Sequence, residues 1–149
     1  MTKLTEHFTV EEMQFSATGA RLGLDNECPS ELMSNMQLVA DRLELVRAHF
    51  GKPVRVLSCY RSPAVNTAVG GSKTSSHRYA LAADFTIPGV TVDEVARWCA
   101  GNIPDFDQVI SEFGAWVHLG FTAREPRRQA LTATKVAGKT VYRAGLEVA

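Results

Sequence analysis

Two short stretches of this 149-residue chain concentrate the side chains able to do chemistry. The first, Ser58 to Asp84, reads SCYRSPAVNTAVGGSKTSSHRYALAAD and carries Arg61, His77 and Asp84 in a mostly small and polar setting. The second, Ser111 to Gly120, reads SEFGAWVHLG and adds Glu112 and His118. Two imidazoles and one carboxylate suit zinc, and three protein ligands leave a fourth position for water, as a catalytic zinc requires. Bound zinc lowers the pKa of its water to about 7 and polarises a carbonyl. Hydrolysis there also needs a carboxylate to take the water's proton and pass it to the leaving amine, and Glu112 is the candidate. Arg61 directly follows an apolar segment, where its guanidinium would stabilise an oxyanion or grip a substrate carboxylate.

Each of these residues has a plainer reading. A His and an Asp seven residues apart arise often by chance. His118, set in the apolar run WVHLGF, reads alone as a hydrogen-bonded core histidine, because a polar group there needs a partner. Glu112 reads alone as a solvent-facing residue of a hairpin, and Arg61 as a surface arginine. The alanines at 80, 82 and 83 help the metal reading somewhat, since they permit close backbone approach between the two candidate ligands, but on these residues alone the plainer reading ranks first.

The elements that must position these groups follow from the pattern of the chain. Thr5 to Phe8 reads as extended. Thr9 with Glu12 is a capping box opening a short helix, TVEEMQF. Residues 16–26 hold two glycines and little periodicity, so a loop is expected. Pro29 and Ser30 open the main core helix, in which Leu32, Met36, Val39, Leu43 and Val46 recur every three to four residues. Gly51 stops it, with His49 in its last turn facing the helix dipole. PVRVLSCY reads as a strand, SPAVNTAVG as a short helical turn ended by Gly70-Gly71, Ser72 to Ser76 as a polar loop, and Asp84 to Ile87 as a second strand. Thr91 with Glu94 caps the amphipathic helix VDEVARWCAG. Gln108 to Ile110 and Trp116 to Phe121 form a hairpin through Phe113-Gly114, which sets Glu112 and His118 on adjacent strands. Gln129 to Lys135 and Thr140 to Arg143 form another through Ala137-Gly138.

Composition narrows the class of partner. Lys plus Arg and Asp plus Glu each number 16, so net charge gives no argument for nucleic acid or an anionic membrane. The single basic cluster, Arg124 with Arg127 and Arg128, reads as a solvated loop. Apolar residues make up 45%, enough for one ordinary core, and the length suits a single domain over 1–149. Cys28, Cys59 and Cys99 show no metal-binding spacing and suit a reducing compartment. No signal-peptide pattern and no membrane-spanning apolar run occur, so synthesis in the cytoplasm is expected, with delivery by another agent if the substrate lies outside.

Taken together, the motifs resemble the M15 family of zinc peptidases, the D-Ala-D-Ala carboxypeptidases and L-alanyl-D-glutamate endopeptidases that include phage endolysins. The family pattern S-x-H-x-x-G-x-A-x-D matches Ser75 to Asp84 at every named position except the glycine, which is Ala80. The upstream S-x-Y-R-S/P element matches Ser58 to Pro63, and W-V-H matches Trp116 to His118. Order and spacing also agree, over about residues 53–121. The resemblance implies a small α+β fold with helices packed on a central, mostly antiparallel sheet, shared with the Hedgehog signalling domain. It implies Zn2+ held by His77, Asp84 and His118, with Arg61 contacting substrate or oxyanion and Ser75 in the polar surround. It further implies a peptidoglycan peptide as substrate; from charge and apolar pattern no nucleic acid and no membrane insertion are expected, and a monomer is expected. There are two departures. Many members place the base three residues before the last histidine, which is Ala115 here; Glu112 stands six before, as a zinc-site glutamate does in the Hedgehog domain. Ala80 is small and is accepted unless its position needs a positive φ. The competing expectations are a non-catalytic zinc module of the same fold, used for wall binding or in a virion, and a metal-free domain with coincidental motifs.

Overall fold

The core begins at the helix with the clearest apolar stripe. In the structure, a computed structural model describing residues 1–146, helix α3 runs Met33–Phe50 and fully buries Met36, Val39, Ala40, Leu43 and Val46. Burying five such side chains contributes about 1.5–3 kcal/mol for each of the larger ones. The helix starts later than Pro29-Ser30, because residues Ser30–Leu32 make a single 3-10 turn first and Leu32 lies in it. Gly51 ends α3 in the left-handed conformation, its N–H donating to the Arg47 carbonyl. His49, in the last turn, stacks on Trp98 with ring centroids 4.5 Å apart.

Two short helices precede α3. Helix α1 spans Val10–Gln14, with the Thr9 hydroxyl accepting from the Glu12 N–H as the capping box predicts. Residues 16–26 are not simply a loop. Helix α2 covers Ala17–Leu22, with the Ser16 hydroxyl accepting from Gly19 N–H at one end and Gly23 left-handed at the other. Its six residues are too few to display a period, but both caps are present in the sequence. Residues 4–7 bend rather than extend, so that Lys3 bridges Thr9.

A six-stranded sheet follows, in the order β1-β2-β4-β3-β5-β6. The strands are β1 (Arg55–Ser58), β2 (Ala82–Thr86), β3 (Gln108–Glu112), β4 (Trp116–Gly120), β5 (Gln129–Val136) and β6 (Lys139–Ala144). All neighbours are antiparallel except β3 and β5. The expected strand 53–60 shrinks to four residues, and β2 starts two residues earlier than predicted. Helix α4 (Pro63–Ala68), a 3-10 turn (Ser76–Tyr79) and α5 (Val92–Asn102) complete the fold. This is the α+β arrangement predicted, with a mostly antiparallel sheet. Among the described residues no helix is long and apolar enough to cross a membrane.

Strand alternation divides the sheet into two chemical faces. Ala83, Phe85, Val109, Val117 and Leu119 face α3 and α5 and join one apolar cluster. Asp84, Ile110, Glu112, Trp116 and His118 occupy the alternate positions and face a cavity. The β3–β4 turn suits this register. Phe113 and Gly114 both have positive φ (57° and 65°), and Ala115 N–H donates to the Glu112 carbonyl, which gives a right-twisted hairpin.

The segment after β4 is held by Asp107. This buried carboxylate accepts from the Arg127 backbone N–H at 2.8 Å and from its guanidinium at 2.7 Å. Hydrogen bonding from Arg127 holds its carboxyl below the usual carboxylate range. Because the Arg127 side chain is 60% exposed, solvent screens the ion pair and the backbone bond matters more. A folded-state pKa below the unfolded one gives stability that is full above about 3.9 and is lost as pH falls through the folded value. Asp107→Asn is therefore expected to lower unfolding stability at pH 7 by about 1–2 kcal/mol in urea melts. The gap between the two proteins should close as the pH drops below the ordinary carboxylate range.

Candidate metal centre

His77 sits in the 3-10 turn between α4 and β2. Ser75 caps that turn, its hydroxyl accepting from the His77 N–H at 3.3 Å. The His77 carbonyl accepts from the Arg61 N–H at 2.9 Å and so ties the turn to the end of β1. The ring lies 2.7 Å from the Cys59 carbonyl through Nδ1, and a carbonyl can only accept, so Nδ1 carries the proton. Nε2 is then a bare lone pair. It is buried, has no hydrogen-bond partner, and lies 3.2 Å from Asp84 Oδ2.

Asp84 and His118 are brought together by register. They are directly opposed on β2 and β4, and His118 Nδ1 stands 3.0 Å from Asp84 Oδ1. A β-bulge between Val56 and Ser58 also sets Ser58 opposite Asp84. Candidate ligand atoms of His77, Asp84 and His118 all lie within 4.8 Å of one another. Tetrahedral N and O ligands about 2.1 Å from a zinc ion stand about 3.4 Å apart, close to the spacings seen here. Two acceptor atoms facing each other in a buried site are unfavourable unless a cation lies between them, and the orphaned His77 Nε2 is such a case. The donor set therefore fits zinc.

The electrostatics agree with that reading. Burial by itself would raise the Asp84 carboxyl, but the group is held well below the usual carboxylate range, with His118 hydrogen-bonded to it. Burial lowers His77, the direction that keeps its imidazole neutral as a ligand must be. The cysteines are buried free thiols, pushed up to about 11 at Cys28 and about 12 at Cys99, chiefly by burial. The three ligand candidates named from the sequence are thus collected at one point, without a thiolate.

Glu112, at the end of β3, pairs with Trp116 and is the diagonal neighbour of His118 on the cavity face. Such diagonals span about 7–8 Å, within reach of long side chains. Partial burial raises the Glu112 carboxyl above its ordinary value, with Asp84 adding to the effect and His118 opposing it. Arg61 lines the same cavity, with its guanidinium already engaged. It donates to Asp84 Oδ2 at 3.3 Å, Ser58 Oγ at 3.2 Å and Asn66 Oδ1 at 3.4 Å. Ser75 is both a cavity-lining residue and the cap that orients His77.

Several contributors escaped sequence reasoning. Asn66, buried on α4, accepts from Arg61 and donates to the Ser72 carbonyl at 2.9 Å, linking the arginine to the loop above it. Gly71 is required because a Cβ there would fall 2.1 Å from Asn66 Oδ1. Asn26 donates to the carbonyls of Gln14 and Tyr60 and accepts from Ser62 N–H, so the N-terminal region holds the Arg61 loop in place. Trp116 lines the cavity with its indole Nε1 buried and unpartnered. Tyr142 on β6 reaches the same cavity across Ala133, and burial together with the nearby Glu112 and Asp84 raises its phenol. The tryptophan belongs to a recognisable motif. The others depend on pairings between distant segments.

Ala80 closes the His77 turn at φ 56°, ψ 35°, in the left-handed region. This is the motif position that favours glycine, and the positive φ is the physical reason for the preference. An alanine there costs about 1–2 kcal/mol, while its buried methyl returns about 0.8 kcal/mol. Ala80→Gly should therefore raise unfolding stability by about 0.5 kcal/mol. Ala80→Val, branched and with no room, should lower it steeply. Paired denaturant melts of the two variants check both signs.

Comparison with known families agrees with the geometry. No curated protein sequence matches the chain. The profile of the family described as Peptidase M15 matches residues 6–120, which spans the helices, the first four strands and all of His77, Asp84, Glu112 and His118. The chain belongs to the M15 peptidases, a family of metallopeptidases.

Proposed function

We propose that this protein is a zinc-dependent peptidase that hydrolyses the peptide stems of bacterial peptidoglycan. The observation that carries this reading is the buried, unpartnered Nε2 of His77 aimed at Asp84, with His118 completing a three-ligand set and Glu112 on the cavity wall. His77, Asp84 and His118 would hold the ion. Zinc bound there supplies Lewis acidity toward the scissile carbonyl and a more acidic water.

The remaining steps belong to the chain's own side chains. Glu112 accepts a proton from the attacking water and delivers it to the amine as the C–N bond breaks, so it ends in its starting state. Its raised carboxyl makes it a stronger base than an ordinary exposed glutamate. Arg61 fixes Asp84 and places positive charge at the wall, where negative charge builds on the carbonyl oxygen. Ser75 keeps the His77 turn in register. A half-buried glutamate beside the ligand set favours hydrolysis over a purely structural zinc module, which has no use for a base. The setting we propose, on the strength of the family resemblance, is a phage or prophage endolysin delivered to the cell wall.

Purified peptidoglycan should release new amino groups and lose turbidity with the zinc-loaded protein, and a chelator should abolish both. Glu112→Gln should retain one zinc per chain by elemental analysis while the rate falls by about 100-fold or more. His77→Ala should lose the zinc itself. One bound zinc with no release of amino groups would overturn the peptidase reading in favour of a non-catalytic module. Undiminished release by Glu112→Gln would show that another group is the base.

A further inference from the structure

The metal cavity does not end at the ligands. It encloses about 590 Å³, bounded on one side by the 70–76 loop and on the other by β3 and β4. A second cavity of about 800 Å³ adjoins it and shares Thr74, Ser76 and Arg127 as lining residues. Trp116 and His118 line the first, and Thr122, four residues beyond His118, lines the second. The two cavities therefore adjoin at the 74–76 loop, the first lined from β4 and the second from the residues just after it. From Trp116 to Thr122 an extended chain covers about 20 Å, room for about six substrate residues.

The cations of this surface are distributed unequally. A carboxypeptidase needs a free positive charge close to the reacting bond to hold the terminal carboxylate. In the metal cavity each of the two arginines is already paired with a carboxylate of the protein, Arg61 with Asp84 and Arg127 with Asp107. Of the basic cluster after β4, Arg128 lies over the Phe106 ring and donates to the Pro104 carbonyl. Arg124 lines the second cavity, and among the described residues its guanidinium has no hydrogen-bond or ion-pair partner. The open cation thus lines the second cavity, beside Glu125, and not the cavity of the ligands.

We infer that the two cavities form one groove for an extended, carboxylate-bearing peptide that continues past the scissile bond on both sides, which makes the protein an endopeptidase, with Arg124 binding a substrate carboxylate several residues from the cut. Tyr142, Glu112 and Trp116 flank the peptide on one side of the ligands, and Thr122 with Arg124 flanks it on the other. This inference rests on the peptidase reading for the chemistry, but the groove itself is a statement about binding.

The test separates the two. Zinc-loaded Glu112→Gln protein is titrated with a cross-linked stem-peptide dimer and, separately, with D-Ala-D-Ala, and binding is followed through backbone amide NMR shifts. The dimer should move the amides of Thr122, Ala123 and Arg124 together with those around His118, and should bind more tightly than the dipeptide. Arg124→Ala should weaken dimer binding about fivefold, as expected for one solvent-accessible charge contact, with an otherwise unchanged amide spectrum. Shifts confined to the metal cavity, or dipeptide binding as tight as dimer binding, would overturn the groove. Dimer binding across both cavities, with no cleavage by the zinc-loaded wild type, would instead leave the groove standing and remove the peptidase reading.

Discussion

A buried carboxylate is the constraint around which this protein is organised. Asp84 is 7% exposed on a central strand, and an ionised group there is tolerated only with full compensation. Two neighbours supply it, His118 opposite on β4 and Arg61 from the end of β1, while His77 approaches from the 3-10 turn with a bare Nε2 lone pair. Each comes from a different element, so the whole motif-bearing region must close before the charge is satisfied. Even then one acceptor remains exposed to another, at His77 Nε2. A divalent cation held between them would relieve that residual frustration.

The supporting parts make sense as devices for holding those three neighbours. The bulge in β1 places Ser58 under Arg61. The Cys59 carbonyl fixes the tautomer of His77, the second hydrogen bond that metal-binding histidines characteristically make. Asn66 and Gly71 bind the arginine to the 70–76 loop, and Asn26 locks the Arg61 loop from the N-terminal side. The left-handed Ala80 turns the chain sharply from His77 into β2. The site thus stands on the sheet and two tight turns rather than on long loops, a rigid support of the kind that holds geometry to fractions of an ångström.

On the opposite side of the sheet the task is ordinary. The same strands present Phe85, Val109, Val117 and Leu119 to α3 and α5 in one apolar cluster, and the Ser111 hydroxyl donates to Asp93 near the start of α5 at 3.0 Å. A strand with period two serves both sides at once. A shift of one residue in β4 would bury Trp116 and expose the apolar face while swinging His118 into the core, so hydrophobic burial also enforces the metal register.

Much of this was legible in the residues themselves. Periodicity located α3, the capping boxes located α1 and α5, and the glycine-bearing turns located both hairpins, because these signals are local and depend on a few adjacent side chains. The ligand candidates His77, Asp84 and His118 were likewise visible as types in ordered motifs, along with Arg61, Glu112 and Ser75. Helix α2 was missed because six residues are too short for a period, and the bend at residues 4–7 because it depends on a bridge from Lys3 to Thr9. Only the tertiary structure decided what those motifs become. The pairing of β2 with β4 sets Asp84 against His118, and the parallel pairing of β5 with β3 brings Tyr142 to the cavity. The engagement of Arg61 and Arg127, against the open Arg124, is equally invisible along the chain. Register and cross-strand distance are properties of segments far apart in sequence, and no local pattern encodes them.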